Sequence, residues 1–454
     1  MFKVSELLNA TNGKLISGNK GAVVKGISID SRTIKPGEAF IALKGNNFDG
    51  NDFIKQAISK GARAVIAHSS KLMAHSSKGI SFIQVNDTTK ALGDIARFHR
   101  QRFDIPVIAV TGSNGKTTTK EMISRVLSLK FKVLKNEGTK NNQIGLPMAL
   151  LNLGRYHDIA VLEIGTNHFG EAGYLAGIAR PNIGVITNIG PSHLEYFRNL
   201  RGVFKEKYTL MKHLQAPYLG ILNYDDKLLG KQVIKKAKKP FIIGFSKKQR
   251  SDFSASKIRA LGNKIGFLAN KKYKFTLNTL GYYNVDNALA AISVGRLFGM
   301  EYKDIAAGLS GFDFPASRLN LIKFNKARFI DDTYNSNPLS LKQALDALDS
   351  IKTKGRKIFV MGDMLELGAS ADASHRLAGK QAAGICDVFI AVGKLSRISA
   401  QAALVYGFDR NNLFTCDSSL EAREIVFKNV SLKPEDIILV KGSRSMKMEE
   451  LFKA

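Results

Sequence analysis

The chain has 454 residues, of which 44% are hydrophobic and 23% are charged, and this composition is typical of a folded globular protein with more than one domain. No apolar run approaches the roughly 18 residues that a membrane-spanning helix requires, and the first residues lack the apolar core and cleavage site of a secretory signal. The two cysteines, Cys386 and Cys416, fit neither a disulfide framework nor a cysteine-based metal site. We therefore expect a cytoplasmic protein without a transmembrane segment.

The net charge is strongly positive, because 68 Lys and Arg residues face 38 Asp and Glu residues, a balance of +30. Such a balance suits nucleic acid, an anionic membrane or acidic small substrates. Residues 231–274 contain fourteen basic residues and one acidic residue, Asp252. Their short alternating patterns favour a solvated sheet face, and a weak peripheral contact with an anionic membrane or another polyanion stays open as an alternative. No module that interleaves basic and aromatic residues stands out, so we expect no nucleic-acid partner.

Residues 1–103 form the first predicted unit, in which short strands alternate with one amphipathic helix around residues 51–60. The next unit begins with a β-branched run, IPVIAV at 105–110, which is suited to a buried parallel strand. We therefore expect a small N-terminal α/β domain that ends close to residue 103.

A phosphate-binding loop is predicted in the stretch AVTGSNGKTTTK at 109–120. Gly115, Lys116 and Thr117 match the second half of the P-loop pattern, whereas Val110 stands where the first glycine belongs and the nearest glycine is Gly112. The context still favours the loop, because a strand precedes it and a helical pattern follows it. Lys116 would then reach the terminal phosphates, and the Thr117 hydroxyl would hold a magnesium ion.

Further strands are expected in the central unit at 158–165, 183–190, 218–223 and 240–245. Glu163 lies at the end of the first of these, where a carboxylate beside a P-loop is a natural second magnesium ligand. His193 follows the second strand and is able to ligate a divalent ion, although a lone histidine is more often structural. From the residues alone, we interpret Lys205 and Lys207 as ordinary surface lysines of a helix.

A third strand–helix alternation begins near residue 316, and polar clusters follow three of its strands. Because ligands of parallel sheets bind at the carboxyl ends of strands, we expect these clusters to face one crevice. Arg318, at the start of this unit, is placed to reach phosphate across a domain boundary. The clustered residues are Asp331, Asp332, Tyr334, Asn335, Asn337, Asp363, Glu366, Lys441 and Arg444.

These motifs together resemble the Mur ligases over essentially the whole chain. The stretches that carry the resemblance are TGSNGKTTT, LEIG, TNIGPSHLEYF, GYYNVDNALAA, FPASRLN, DDTYNSNP, GDMLELG and LVKGSR. The predicted fold is thus α/β with three domains: a small N-terminal α/β domain that binds the UDP substrate (1–103), a central P-loop ATPase-type domain with a mainly parallel sheet (104–315) and a C-terminal Rossmann-like ligase domain (316–454).

The resemblance implies an ATP-dependent amide ligase that adds D-Ala-D-Ala to UDP-MurNAc-tripeptide through an acyl phosphate, in cytoplasmic peptidoglycan precursor synthesis. It implies ATP and Mg²⁺ as cofactors, both substrates as the partners, and a monomer. Two alternatives stay open: a sister ligase that adds a free amino acid, of the diamino-acid-adding or folylpolyglutamate type, and a non-catalytic P-loop protein that binds polyanions. The third residue of the peptide, lysine or diaminopimelate, stays open.

The resemblance also implies a set of site residues. Those implied to act in catalysis are Lys116, Lys207 and His193. Those implied to bind ATP are Gly112, Asn114, Gly115, Lys116, Thr117, Thr118, Asn284, Asn287, Arg318 and Asp332. Those implied to hold magnesium are Thr117, Glu163, His193 and, if it is carbamylated, Lys207. Those implied to bind the substrates are Ser31, Arg32, Phe48, Asp49, Gly50, Asn141, Asn142, Tyr334, Asn335 and Asn337.

The chain departs from the family pattern at two positions on the adenine side. Tyr283 stands where a histidine is common, and Ser317 replaces the glycine that precedes Arg318. Both changes bear on how the nucleotide is held, and neither removes a residue that the reaction itself requires.

Overall fold

The computed structural model describes residues 1–45, 48–68, 79–234, 240–325 and 327–452, without the side chains of residues 233 and 234. The α/β fold class predicted from the sequence is confirmed, because strands and helices alternate along the described chain. Among the described residues, no helix combines the length and the apolar character that crossing a bilayer requires.

The N-terminal unit is built on a small mixed sheet. Its strands are β1 (Phe2–Lys3), β2 (Lys14–Ser17), β3 (Val23–Val24), β4 (Ile27–Ser28), β5 (Ala39–Ile41), β6 (Ala64–Ala67) and β7 (Ser81–Gln84). Its α-helices are α1 (Val4–Thr11), α2 (Ile54–Ser59) and α3 (Thr88–Arg100). The main sheet has the order β2-β7-β6-β5-β4, and β1 pairs with β3 beside it.

The prediction of a single helix in this unit is wrong, since α1 and α3 flank the helix expected near residues 51–60. The start of α3 carries a local signal, because the Asp87 side chain accepts hydrogen bonds from the backbone N–H groups of Thr89 at 2.8 Å and Lys90 at 2.9 Å. An aspartate in this position satisfies N–H groups that the first helical turn leaves without partners.

The central unit carries the sheet on which the P-loop rests. Its strands are β8 (Val107–Thr111), β9 (Val133–Lys135), β10 (Ile159–Glu163), β11 (Ile183–Ile186), β12 (Leu219–Asn223), β13 (Phe241–Ser246), β14 (Phe253–Leu261), β15 (Lys264–Ala269) and β16 (Tyr273–Leu277). Its α-helices are α4 (Lys116–Leu127), α5 (Gly145–Leu150), α6 (Glu171–Ala179), α7 (Leu194–Phe197), α8 (Leu200–Lys212), α9 (Lys227–Ile234), α10 (Asn284–Leu297) and α11 (Tyr302–Ser310).

The order of the central sheet is β16-β15-β14-β13-β12-β11-β8-β10-β9, and it is parallel from β9 to β14. Strand β8 lies between β11 and β10, and all of its residues are buried between two apolar layers. The antiparallel pairs β14–β15 and β15–β16 complete the sheet. Their outer face is solvated as predicted, with exposed basic side chains at Lys257, Arg259, Lys264, Lys271, Lys272 and Lys274; residues 235–239 of the basic segment lie outside the described residues.

The C-terminal unit is a second, mainly parallel sheet with helices on both faces. Its strands are β17 (Asn320–Phe324), β18 (Ala327–Asp332), β19 (Lys357–Gly362), β20 (Val388–Val392), β21 (Leu413–Cys416) and β22 (Ile437–Lys441). Its α-helices are α12 (Pro338–Ser350), α13 (Ala371–Ala383), α14 (Ser396–Val405) and α15 (Ser419–Glu424). The sheet order is β17-β18-β22-β19-β20-β21, so the three strands that precede the predicted polar clusters are neighbours.

Candidate active site

A crevice of about 580 Å³ opens between the central and C-terminal units. The carboxyl ends of β8 and β10 form one wall, and those of β18 and β22 face them. Ligands of doubly wound sheets bind at such strand ends. The predicted residues that line the crevice are Asn114, Gly115, Lys116, Thr117, Thr118, Asn141, Glu163, His193, Arg318, Asp332, Tyr334, Asn335, Asn337, Glu366, Lys441 and Arg444.

The phosphate-binding loop connects β8 to α4, and its two glycines have no room for a side chain. Gly115 has a φ of +78°, and a Cβ atom there would lie 2.4 Å from Asn287 Oδ1. Gly112 has a φ of +148°, and its Cβ would lie 2.0 Å from Thr187 Oγ1. Strand β8 extends to Thr111, so Val110 occupies an ordinary buried strand position. The missing first glycine of the motif therefore leaves the turn itself intact.

Lys116 begins α4 and folds back over the loop. Its Nζ donates to the carbonyl oxygens of Gly112 at 2.9 Å and Ser113 at 3.2 Å. Burial lowers the pKa of this amine from its ordinary value, the nearby Arg318 charge lowers it further, and Glu163 acts in the opposite direction. The loop thus holds a cation in a partly desolvated position, where an incoming anion would be attracted strongly.

Glu163 ends β10 and is 1% exposed. Its Oε1 accepts a hydrogen bond from Asn141 Nδ2 at 2.6 Å, whereas its Oε2 is buried and has no hydrogen-bond partner among the described residues. A buried carboxylate oxygen without a donor is costly, and such an atom fits a cation that is bound with the substrate. The loop that carries Asn141 is fixed in turn by the fully buried Lys120, whose Nζ donates to the Asn136 carbonyl at 2.5 Å.

His193 connects the two walls of the crevice. Its Nδ1 lies 2.6 Å from Glu366 Oε2, and because a carboxylate only accepts, the ring donates through this nitrogen. The hydrogen bond from His193 lowers the pKa of Glu366 from its ordinary value. A histidine oriented in this way presents its other nitrogen as an acceptor, which is the arrangement typical of metal-binding histidines.

Lys207 lies on α8 and is 1% exposed. The interpretation of Lys207 as a surface lysine, made from the residues alone, is therefore wrong. Its Nζ lies 3.3 Å from Thr166 Oγ1, a residue that lines the crevice. Burial lowers the pKa of Lys207 well below the ordinary lysine value, and the charge of Lys116 adds to this effect. Burial therefore disfavours the charged form of this amine relative to an exposed lysine.

The C-terminal wall is organised by buried polar pairs. Lys441 Nζ donates to Asp332 Oδ2 at 2.5 Å and to the Asn335 carbonyl at 2.9 Å. Asn337 caps α12 by accepting from the Ser340 N–H at 2.9 Å, and its Nδ2 donates to Asn114 Oδ1 at 2.7 Å across the crevice. These contacts bring the DDTYNSNP segment directly against the P-loop.

Arg318 reaches from the start of the C-terminal unit to the P-loop. Its guanidinium lies 4.0 Å from the centre of the Tyr334 ring, and its Nη2 donates to Thr117 Oγ1 at 3.1 Å. The preceding Ser317 has a φ of +58°, a left-handed backbone conformation that glycine adopts more readily than serine. The Ser317 hydroxyl donates to Asp331 Oδ2 at 3.1 Å, a bond that glycine would lack.

Several predicted residues lie outside the crevice lining. Asn284 and Asn287 are buried beneath the P-loop, where Thr119 Oγ1 donates to Asn287 Oδ1 at 3.1 Å. The Asn142 side chain accepts from the Gly145 N–H at 2.9 Å at the start of α5. Gly112 lies under the loop, as described above. These residues therefore lie beside the crevice and support its walls without lining it.

The predicted UDP-binding residues lie on the N-terminal unit. Arg32 and Phe48 are exposed, and Arg32 forms an ion pair with Asp30 at 2.8 Å. Ser31 is buried and its hydroxyl donates to Gln56 Oε1 at 2.6 Å. The Asp49 side chain accepts from the Asn51 N–H at 2.9 Å, and buried Gly50 donates to the Leu43 carbonyl at 2.8 Å. A cation and an exposed aromatic ring are thus available on this surface.

The crevice also contains polar residues that the sequence reasoning missed. They carry no charge and follow no regular spacing, so no sequence pattern identifies them as site residues. They are Ser113, Thr139, Thr166, Asn167, Ser192, Ser336, Ser340, Gln343, Ser443 and Ser445. Asn188 was also missed; its Oδ1 accepts from the Asn114 N–H at 3.0 Å and fixes the P-loop.

Comparison with known families gives matches along most of the chain. Residues 23–100 match the Mur ligase family catalytic domain, residues 110–295 match the Mur ligase middle domain, and residues 317–444 match the Mur ligase glutamate ligase domain. The chain belongs to the Mur ligase family, and it is an ATP-dependent ligase. The resemblance drawn from its motifs is confirmed.

Its full-length relatives include particular members of that family. The UDP-N-acetylmuramoyl-tripeptide–D-alanyl-D-alanine ligases of Bacillus subtilis and Escherichia coli are each 35% identical to it, over 95% and 99% of this chain and 93% and 97% of theirs. Among solved structures, MurF from Acinetobacter baumannii superposes with a TM-score of 0.89 at 32% identity, covering 99% of this chain and 97% of its own. MurF from Thermotoga maritima in complex with ADP gives 0.82 at 26% identity, covering 95% and 97%.

Proposed function

We propose that the protein joins the terminal carboxylate of UDP-MurNAc-tripeptide to the amine of D-Ala-D-Ala and converts ATP to ADP and phosphate. The observation that carries this proposal is the full-length similarity to ligases named for this reaction. The crevice supports it, because a P-loop cation faces the polar C-terminal wall across a space of about 580 Å³. We place this activity in the cytoplasm, in a monomer.

The nucleotide binds at the P-loop in this proposal. Its phosphates replace the Gly112 and Ser113 carbonyls as partners of Lys116, and Thr117 and Thr118 close the loop at the start of α4. Arg318 lies close enough to add a second positive charge, because its guanidinium already contacts Thr117. Asn284, Asn287 and Asp332 are assigned to the adenosine side. A relative that was solved with ADP supports this use of the fold.

The residues present fit magnesium. Thr117 supplies a hydroxyl beside the phosphates, Glu163 supplies an unpartnered buried oxygen, and His193 supplies a nitrogen oriented by Glu366. Within the described residues no group of three acidic, histidine or cysteine side chains forms a cage, and Mg²⁺ commonly relies on one or two carboxylates, water and substrate phosphates instead. When bound, the ion neutralises the charge that develops on the transferred phosphoryl group.

We assign Lys207 to the same metal site after carbamylation. A carbamate forms on a neutral amine, and burial together with the charge of Lys116 lowers the pKa of Lys207 in that direction. The modified side chain would offer oxygen atoms to a hard cation, where the amine offers none. Its neighbour Thr166, at 3.3 Å, lines the crevice, so the added group would extend toward the phosphate side.

The substrates are assigned to opposite ends of the site. Ser31, Arg32, Phe48, Asp49 and Gly50 bind the uridine diphosphate on the N-terminal unit, where Arg32 supplies charge and Phe48 an aromatic surface. The peptide then extends past Asn141 and Asn142 toward the P-loop. Tyr334, Asn335 and Asn337 line the wall from which the dipeptide approaches.

The chemistry has two steps in this proposal. The peptide carboxylate attacks the γ-phosphorus of ATP in line, which breaks the bond to ADP and forms an acyl phosphate. The unprotonated amine of the dipeptide then attacks the acyl carbon, and inorganic phosphate leaves as the amide forms. Lys116 stabilises the charge on the transferred group in the first step. Closure of the crevice excludes water, which would otherwise hydrolyse the acyl phosphate.

Phosphate release from MgATP tests the proposal directly. Release should require both UDP-MurNAc-tripeptide and D-Ala-D-Ala, and Lys116→Ala should abolish it. Lys130→Ala is the matched control, because Lys130 is an exposed lysine that follows the same helix outside the crevice. Release that a free amino acid stimulates, with no response to the dipeptide, would contradict the proposed acceptor and indicate a sister ligase.

A further inference from the structure

The cations of the crevice fall into two groups. Among the described residues that line it, the lysines and arginines are Lys116, Arg318, Lys441 and Arg444. Lys116 and Arg318 are both at the P-loop, since the first covers the Gly112 and Ser113 carbonyls and the second contacts Thr117. Their position assigns them to the nucleotide phosphates. Lys441 and Arg444 are then the remaining cations for binding the negative charge of the acceptor.

Lys441 is poorly suited to bind a further anion. It is 1% exposed, and its Nζ already donates to the Asp332 carboxylate and to the Asn335 carbonyl. The ion pair with Asp332 neutralises its charge inside the protein, and breaking a buried pair of this kind is strongly unfavourable. Lys441 therefore holds the DDTYNSNP segment in place and offers little to a ligand.

Arg444 is in a different state. It follows β22 at the edge of the crevice, its side chain is 60% exposed, and its Nη2 forms one ion pair with Glu449 Oε1 at 2.8 Å. A guanidinium has five N–H donors in a planar fork, so this single contact orients the group and leaves further donors for a ligand. Ser443 and Ser445 on either side also line the crevice. Planar, paired donors of this kind suit a carboxylate.

The acceptor has its charge at a fixed distance from its reacting amine. In D-Ala-D-Ala the amine must reach the acyl carbon beside the P-loop, and the terminal carboxylate lies at most about 7 Å further along an extended dipeptide. Because Arg444 lines the same crevice as Lys116, we place this carboxylate on the wall that faces the P-loop. A single amino acid would place its carboxylate about one residue closer to the reacting carbon.

We propose that Arg444 binds the terminal carboxylate of the acceptor dipeptide and is a specificity-determining residue for its length. This inference rests on the proposed function, because it assumes a dipeptide acceptor. It predicts that the protein discriminates between D-Ala-D-Ala and the same dipeptide with an amidated carboxyl terminus, which keeps the amine and both methyl groups but has no negative charge.

Steady-state phosphate release with the two acceptors tests the inference. In the unsubstituted protein, kcat/KM should be about 10- to 100-fold higher for the acid than for the amide, as expected for a lost charge-assisted hydrogen bond. Arg444→Ala should lower kcat/KM for the acid alone, so that the ratio falls close to one, whereas the KM values for ATP and UDP-MurNAc-tripeptide stay unchanged. Arg444→Lys should recover part of the ratio, because it retains the charge without the fork.

Arg397→Ala is the matched control. Arg397 is another exposed arginine of the C-terminal unit, paired with Asp417 at 2.9 Å and outside the crevice lining, so its loss should leave the ratio unchanged. An acid-to-amide ratio that survives in a folded Arg444→Ala protein would overturn the inference alone. Absence of dipeptide-dependent phosphate release in the unsubstituted protein would overturn the proposed function and this inference with it.

Discussion

The two domain boundaries of the molecule are built in different ways. At the first, α3 of the N-terminal unit packs against α5 and α6 of the central unit. Ile144, Met148 and Leu151 from the central unit contact the N-terminal apolar core. The buried Arg100 donates to the Ala179 carbonyl at 3.1 Å and to two further carbonyls in the linker. This boundary resembles the interior of a single domain.

The second boundary, between the central and C-terminal units, adds polar bridges across the crevice to the apolar contacts that Leu280 and Tyr283 make with the C-terminal core. Asn114 pairs with Asn337, Arg318 reaches Thr117, and His193 contacts Glu366. Each bridge includes a residue that is assigned to a ligand. In the proposed function, binding of ATP, magnesium and peptide would exchange these bridges for contacts with the ligands.

The difference indicates which parts of the molecule move. An apolar boundary resists displacement because sliding would open cavities in a close-packed interior. A boundary held by exchangeable hydrogen bonds allows a change of angle at little cost. We therefore expect the N-terminal and central units to act as one body and the C-terminal unit to close onto it with each reaction cycle.

The largest expected effect comes from the second boundary. Arg318→Ala removes a charge that forms the bridge to Thr117 and that the proposed function assigns to the ATP phosphates. It should lower kcat/KM by roughly 100- to 1000-fold, the cost of removing one preorganised transition-state donor, while the free energy of unfolding changes little. Steady-state kinetics and chemical denaturation of the same preparation check both parts. Loss of stability in proportion to activity would show that Arg318 has a mainly structural role.

The first boundary should respond to acid through His99. This ring is buried between Phe2 and Phe103, and its Nε2 donates to the Leu153 carbonyl at 2.8 Å. Within the part of the chain that the structure describes, its Nδ1 has no hydrogen-bond partner. Burial lowers the pKa of His99, and the Arg102 and amino-terminal charges also lower it. Its contribution to stability is therefore present above the unfolded-state pKa and is lost as the pH falls below that value.

Acidification from about pH 7.5 to about pH 5.5 should thus reduce the free energy of unfolding by up to about 1.4 kcal/mol through this residue. His99→Gln keeps a donor for the Leu153 carbonyl but cannot take up the proton, so its denaturation midpoint should depend less on pH. An identical pH dependence in both proteins would exclude His99 as the titrating group.

A smaller effect on stability is expected from a single methyl group at the first boundary. Ile178 on α6 is 3% exposed. It packs closely against Gly93 of α3, where a Cβ atom would lie only 2.9 Å from Ile178 Cδ1. Ile178→Val should destabilise the protein by about 0.5–1.5 kcal/mol without changing kcat. Leu377→Val on the half-exposed face of α13 is the control and should be close to neutral. A fall in kcat for the folded Ile178→Val protein would contradict the proposal that the first boundary serves stability and the second boundary serves the reaction.

The smallest effect is expected at the start of the C-terminal unit. Ser317→Gly relieves the left-handed backbone at a φ of +58° but removes the hydrogen bond to Asp331 and makes the unfolded chain more flexible. Because these terms oppose one another, the free energy of unfolding should change by less than about 0.5 kcal/mol. A larger loss, measured by denaturation, would show that the Asp331 contact dominates.

Much of the site was predictable because its chemistry is local in sequence. The P-loop, Glu163 and the DDTYNSNP segment each lie at the carboxyl end of a largely buried strand, and parallel strands bring these ends to one edge of the sheet. The contact between His193 and Glu366 joins residues 173 positions apart, and no local pattern encodes it. The burial of Lys207 was also hidden, because Lys205 and Lys207 lie on one helix and only tertiary packing distinguishes them.

The most direct test of the account is the mass of the product formed when several acceptors compete. The protein would be incubated with MgATP, UDP-MurNAc-tripeptide and an equimolar mixture of D-Ala-D-Ala, D-alanine, L-lysine, diaminopimelate and L-glutamate. We predict one new product, heavier than the substrate by the dipeptide less one water, formed in step with phosphate release. A product heavier by a single amino acid, with none carrying the dipeptide, would contradict the assignment of the acceptor and the role of the facing wall.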